Sequence, residues 1–197
     1  MIRHVTVTTL LCCCLVIMTV AQTSTKEIVT KKGCSCAFSS INQVGVLTGE
    51  AGSSFQLQSI NGMRYKTWFA GAGVGLDFYK KRGIPVFLDI RKDILNKPST
   101  PFVYADGGIH YSWPTGQDKP GGNGKRTFSN DLYYDVGIGY KVSVKDQHAV
   151  LLSAGFSRKR VEEVTTYPQF CPACPPESYE AYNYTFNRLT LKLGYRF

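Results

Sequence analysis

From about residue 41 onward, side-chain character alternates with period two and never adopts the 3.6-residue period of a helix. This constrains the chain more than any other feature. Successive side chains on a strand point to opposite faces, so each segment carries one apolar face and one small or polar face. Trp68, Ala70, Ala72, Val74, Leu76 and Phe78 alternate with Phe69, Gly71, Gly73, Gly75, Asp77 and Tyr79. Ile84, Val86, Leu88 and Ile90 alternate with Pro85, Phe87, Asp89 and Arg91. Segments 103–113, 132–143, 150–157 and 188–197 read the same way. Two weaker segments, near 42–50 and 54–63, have ambiguous facing and bring the expected number of strands to eight. Abundant glycine (19 residues) and aromatic residues (13%) suit closely packed strands better than helices.

The connections alternate in length. Gly62 to Lys66, Asn96 to Thr100 and Lys145 to His148 are short and fall on one side. Both long connections, 113–127 and 161–182, fall on the other, together with short ones near 51–54 and 80–83. Tight periplasmic turns and longer extracellular loops characterise membrane barrels. The N-terminus reads as a targeting segment. Arg3 and His4 precede an apolar stretch, Leu10 to Val20, that ends in Thr19-Val20-Ala21, a small-residue cleavage pattern. The expected organisation is a signal peptide over 1–21 cleaved near Ala21, a flexible polar arm over 22–40, and a barrel over 41–197. At about 11 residues the apolar stretch is too short for a spanning helix, and no later stretch approaches 18 apolar residues. The Cys12-Cys13-Cys14 run follows Leu11 and reads as apolar filler rather than a lipidation site.

Two barrels fit the alternation. In a soluble, lipocalin-like carrier the apolar face is the core; in a membrane barrel it meets lipid and the interior is polar. The polar face holds Asp77, Asp89, Asp106 and Asp135 with Arg91, Lys141, Arg188, Lys192 and Arg196, four acids and five bases. Such a set can fill a narrow lumen as a charge network or lie outside as a solvated face. Long strands favour the membrane, as do aromatics near the ends of apolar faces (Trp68 and Phe78, Tyr111 and Trp113, Tyr195 and Phe197). The final Leu-Lys-Leu-Gly-Tyr-Arg-Phe, with Tyr195 and Phe197, resembles the C-terminal signal read by the outer-membrane assembly machinery.

The expected fold is therefore an all-β, eight-stranded antiparallel up-and-down transmembrane β-barrel. Ser59-Ile60-Asn61-Gly62, Gly71-Ala72-Gly73-Val74-Gly75-Leu76-Asp77, Ile84 to Asp89, Pro101 to Asp106 and Arg188 to Tyr195 resemble the small bacterial outer-membrane β-barrel family related to outer-membrane protein A-type barrels. The resemblance covers roughly residues 41–197 and implies fold and a Gram-negative outer-membrane location, but little chemistry.

Catalytic and cofactor signals are weak. Gly71-x-Gly73-x-Gly75 has strict two-residue spacing and no following helix, so it reads as lumen packing rather than a dinucleotide loop. Cys171-Pro172-Ala173-Cys174 has a CxxC spacing without a βαβ unit, and a local loop disulfide is the expected state, with reduced thiols, metal binding and redox activity as alternatives. Cys34 and Cys36 precede the first strand, and spacing does not fix their pairing. His110 should point inward beside Ser112, far from His148. The net charge of +9 is scattered rather than clustered, which argues against nucleic acid. The expectation is a non-enzymatic outer-membrane protein without cofactor or metal, structural or binding an extracellular partner through 113–127 and 161–182. Its other contacts would be membrane lipid and the assembly machinery. A lipid-modifying enzyme and a secreted carrier are the alternatives.

Overall fold

The computed structural model describes residues 36–113, 125–145, 148–168 and 177–197. The strands are β1 (Ala37–Gly49), β2 (Gly52–Tyr65), β3 (Trp68–Asp77), β4 (Gly83–Asp93), β5 (Thr100–Ser112), β6 (Lys125–Phe128), β7 (Asp131–Lys145), β8 (His148–Pro168) and β9 (Glu177–Arg196). Every pairing is antiparallel. The short β6 and β7 lie end to end along β8, so nine segments build eight staves. β1 closes the sheet on β9, from Ile41 opposite Arg196 to Gly49 opposite Arg188. Ser40 and Phe197 exchange both backbone hydrogen bonds at the same seam, at 2.9 and 3.0 Å. Closure leaves no edge within the barrel wall.

Two boundaries differ from expectation. β1 begins at Ala37, inside the stretch read as a flexible arm over 22–40. The polar Ser39 and Ser40 hid it: both are buried, and Ser39 shares the inward face with Ile41. The segment read as a loop over 161–182 is mostly strand: β8 and β9 pair from Arg160 opposite Thr185 to Pro168 opposite Glu177. The long connection over 113–127 likewise ends in β6. Above the barrel wall no medium demands an apolar face, so alternation loses its hydrophobic contrast while the backbone ladder continues.

The barrel is inside out relative to a soluble protein. Among the described residues, buried polar and charged side chains outnumber buried apolar and aromatic ones, and most large aliphatic side chains are exposed. The ambiguous facing of β1 and β2 resolves for the same reason. Ile41, Leu47 and Ile60 point inward among Gln43, Gln56 and Gln58, while Val44, Val46 and Leu57 point outward beside Asn42 and Ser59. Both faces are mixed, so hydrophobicity alone could not orient them. The β1–β2 turn, Glu50-Ala51, sets Gly52 at φ 102°, a conformation that only glycine adopts without strain.

Candidate functional site: the lumen charge ladder

β4, β5 and β7 bring three aspartates into one row across the interior wall, Asp89 opposite Asp106 and Asp106 opposite Asp135. Like charges directly opposite each other destabilise a sheet, so the row requires cations. Arg91, two residues along β4, supplies one. Its Nε donates to both oxygens of Asp89, at 3.0 and 2.9 Å, and its NH2 donates to Gln43 Oε1 at 3.3 Å. Lys192 from β9 reaches across the lumen to Asp135 at 2.9 Å and Asp106 at 3.5 Å. The Tyr104 hydroxyl donates to Asp135 Oδ1 at 2.8 Å. Nearer the hairpin end, Asp77 pairs with Arg188 and with Lys159 at 3.1 Å, and accepts the Tyr79 backbone N–H at 2.8 Å. Arg188 also donates to Ser157 Oγ at 2.7 Å.

Aromatic rings complete the packing. Ile41, Ile60, Phe69, Phe87, Phe102, Tyr104, Tyr133 and Leu151 form an internal apolar cluster. Arg91 sits 5.7 Å from both the Phe102 and Tyr104 ring centroids, and Lys192 lies 4.3 Å over Tyr104. Each of these two cations therefore meets a carboxylate and a ring face, the two partners that best compensate a desolvated charge.

All nine residues singled out from the polar face (Asp77, Asp89, Arg91, Asp106, Asp135, Lys141, Arg188, Lys192 and Arg196) are buried in the interior. The pairing is less uniform than expected. Arg91, Arg188 and Lys192 engage the four aspartates, but Lys141 pairs with Asp93, and no carboxylate among the described residues pairs with Arg196. Asp93 was missed because it ends its strand. Lys159 was missed because it stands in the Arg158-Lys159-Arg160 run, which reads as a solvated loop. The period continued past Ser157 would have turned Lys159 inward, where it also donates to the backbone carbonyls of Tyr79 and Lys81, at 2.8 and 2.6 Å. Glu163 holds Lys81 and Arg126 near the hairpin end, at 2.9 and 2.8 Å. His110 is fully buried with Nε2 3.9 Å from Asp77, and neither ring nitrogen has a hydrogen-bond partner among the described residues. Tyr195 and Phe197 point outward, and the Tyr195 hydroxyl lies 3.0 Å from His148 Nδ1. Cys36 is disulfide-bonded, while Cys34, Cys171 and Cys174 lie outside the described residues.

The glycines of β3 make room for this filling. A Cβ on Gly73 would lie 2.6 Å from the Phe87 ring. Gly73→Val should therefore destabilise the barrel by about 1–3 kcal/mol, read as a lower urea midpoint at unchanged slope.

No family model and no curated protein matches the sequence. Solved structures do match in fold. Neisserial surface protein A is 12% identical over 82% of this chain and 97% of its own, with TM-score 0.50. The outer membrane protein OprG of Pseudomonas aeruginosa is 9% identical over 81% and 95%, with TM-score 0.52. With its closed eight-stave wall, apolar exterior and charge-filled lumen, the chain has the fold of the small outer-membrane β-barrels.

Proposed function

We propose that this protein is an integral outer-membrane β-barrel without catalytic activity, which engages an extracellular partner through the end of the barrel formed by β6 and the β8–β9 hairpin. The observation that carries the membrane assignment is the exterior. An aliphatic band including Val74, Leu88, Ile138, Leu152 and Leu191 lies between two aromatic rims. Tyr65, Trp68, Tyr140 and Tyr195 stand at the end carrying the chain termini of the barrel, and Phe55, Phe78, Tyr111 and Trp113 at the hairpin end. Water would leave this band unsolvated, whereas lipid covers it and the rims sit at the headgroups. A soluble carrier needs an apolar cavity inside, and here charged side chains and rings occupy the interior.

Partner binding rests on the hairpin, whose β9 arm extends past the last β1 pairing at Gly49–Arg188 and exposes Tyr179, Tyr182 and Tyr184. Rigid amphipathic tyrosines on an unpaired strand edge are a common basis for protein recognition. His110 supports the non-enzymatic reading, because a sealed imidazole cannot reach a lipid substrate. The topology is tested with chymotrypsin on intact cells. Cleavage is expected after Tyr179 in the hairpin, with the Tyr65–Lys66 turn protected. Cleavage at Tyr65 instead would invert the orientation, and recovery of the protein from the periplasm without detergent would refute membrane insertion.

A further inference from the structure

The end of the barrel opposite the hairpin opens into a cavity of about 690 Å³. Its charged lining comes from the end of β2 (Arg64), the β2–β3 turn (Lys66), the β4–β5 turn (Lys97), β7 (Lys141) and β9 (Arg196), with Asp93 of β4 as the one carboxylate among the described residues. Asp93 is already engaged by Lys141. Among the described residues, no carboxylate pairs with Arg64, Lys66, Lys97 or Arg196. Arg196 is the decisive member: it is 7% exposed, it feels the charge of Arg64 as well as that of Asp93, and its guanidinium makes no hydrogen bond to another described residue. It also lines a smaller recess beneath the main cavity, together with Arg64, Arg91 and Asp93.

A guanidinium removed from bulk water beside a second guanidinium is costly without a counter-charge. Deeper in this lumen the chain supplies that charge itself, as with Asp77 for Arg188 and Asp89 for Arg91. At this mouth no further carboxylate among the described residues does so. From this we infer that the vestibule is a binding site for a phosphate-bearing anion, with Arg196 and Arg64 as the primary contacts and Lys66 and Lys97 closing over it from the turns. Planar guanidinium forks match tetrahedral oxyanions in a bidentate manner, and flexible ammonium groups add point charges around them. With four cations unmatched among the described residues, a phosphate, carrying close to two charges at neutral pH, neutralises the site better than a carboxylate does. The volume falls within the range of small-molecule sites. The oxyanion recognition is shared by a free phosphate compound and by an anionic phospholipid headgroup folding over the rim, whose phosphodiester carries a single charge. The inference stands apart from partner binding at the hairpin, and failure of either leaves the other intact.

The test uses the full mature protein refolded into phosphatidylcholine nanodiscs and titrated calorimetrically with inorganic phosphate. Saturable one-to-one binding is expected, with acetate at least tenfold weaker. Arg196→Gln should weaken phosphate binding at least tenfold. If that variant does not assemble, Arg64→Gln and Lys97→Gln, near the surface of the vestibule, should each do so in part. Arg160→Gln, exposed at the opposite end, should leave binding unchanged. Repeating the titration in nanodiscs containing phosphatidylglycerol identifies the source: loss of phosphate binding assigns the site to a lipid headgroup, and unchanged binding assigns it to a free phosphate compound. Absence of saturable binding, acetate binding as tight as phosphate, or equal loss in Arg160→Gln would overturn the inference.

Discussion

Asp77→Ala should destabilise the barrel by about 3–5 kcal/mol, the cost of stripping one partner from a buried charge cluster. The carboxylate compensates Arg188 and Lys159 together, and both cations are fully buried. Its loss leaves Arg188 with Ser157 and the Tyr79 ring, and Lys159 with backbone carbonyls and ring faces, but neither with a carboxylate among the described residues. The isosteric Asp77→Asn should cost less, since its single amide oxygen keeps an acceptor for either Arg188 or the Tyr79 N–H, which bind different oxygens of the carboxylate. The double variant Asp77→Ala with Arg188→Met should recover part of the loss, because it removes an orphaned charge along with its partner. Urea unfolding from lipid vesicles reads all three. Additive losses in the double variant would show that the pair does not act as a unit.

Arginine placed on the aliphatic band should be nearly as costly. Leu191, Leu193 and Val136 point outward near mid-height, where Leu191 stands opposite Val46 and Ala154, and Val136 opposite Ala105 and Phe156. Leu191→Arg should cost about 2–4 kcal/mol, the penalty for arginine at the midplane of a membrane barrel. Position determines the size of the effect. The same change at Tyr179 on the hairpin should fall within about 0.5 kcal/mol, as for a surface site away from packing. Equal tolerance at Leu191 and Tyr179 in a refolding titration would remove lipid from the account of this surface.

Both predictions start from a pattern visible in the sequence. Strict alternation in β3, β4, β5, β7 and the lower part of β9 fixed which side chains share a face, because a pleated strand admits no other arrangement. It placed Asp77, Asp89, Asp106 and Asp135 on one face with Arg91, Lys141, Arg188, Lys192 and Arg196. Long strands with aromatic ends pointed to the membrane over a soluble carrier. What alternation cannot carry is contrast where both faces are mixed. Hence β1, with Ile41 and Leu47 among Gln43 and Ser39, began earlier than the pattern implied. For the same reason the hairpin arms passed for a loop, although their backbones pair as regularly as the wall.

The sequence by itself thus determined the repeat, the faces of the strongly alternating strands and the number of staves, since each follows from local stereochemistry and the hydrophobicity of single positions. Only the tertiary structure decided who pairs with whom. Lys192 meets Asp106 and Asp135 because barrel closure carries β9 across a narrow lumen, where distance depends on curvature and register rather than on separation along the chain. That same closure joins Lys141 to Asp93 and leaves Arg196 without a carboxylate among the described residues. No residue-by-residue reading yields that imbalance, because it is a property of one end of the closed barrel.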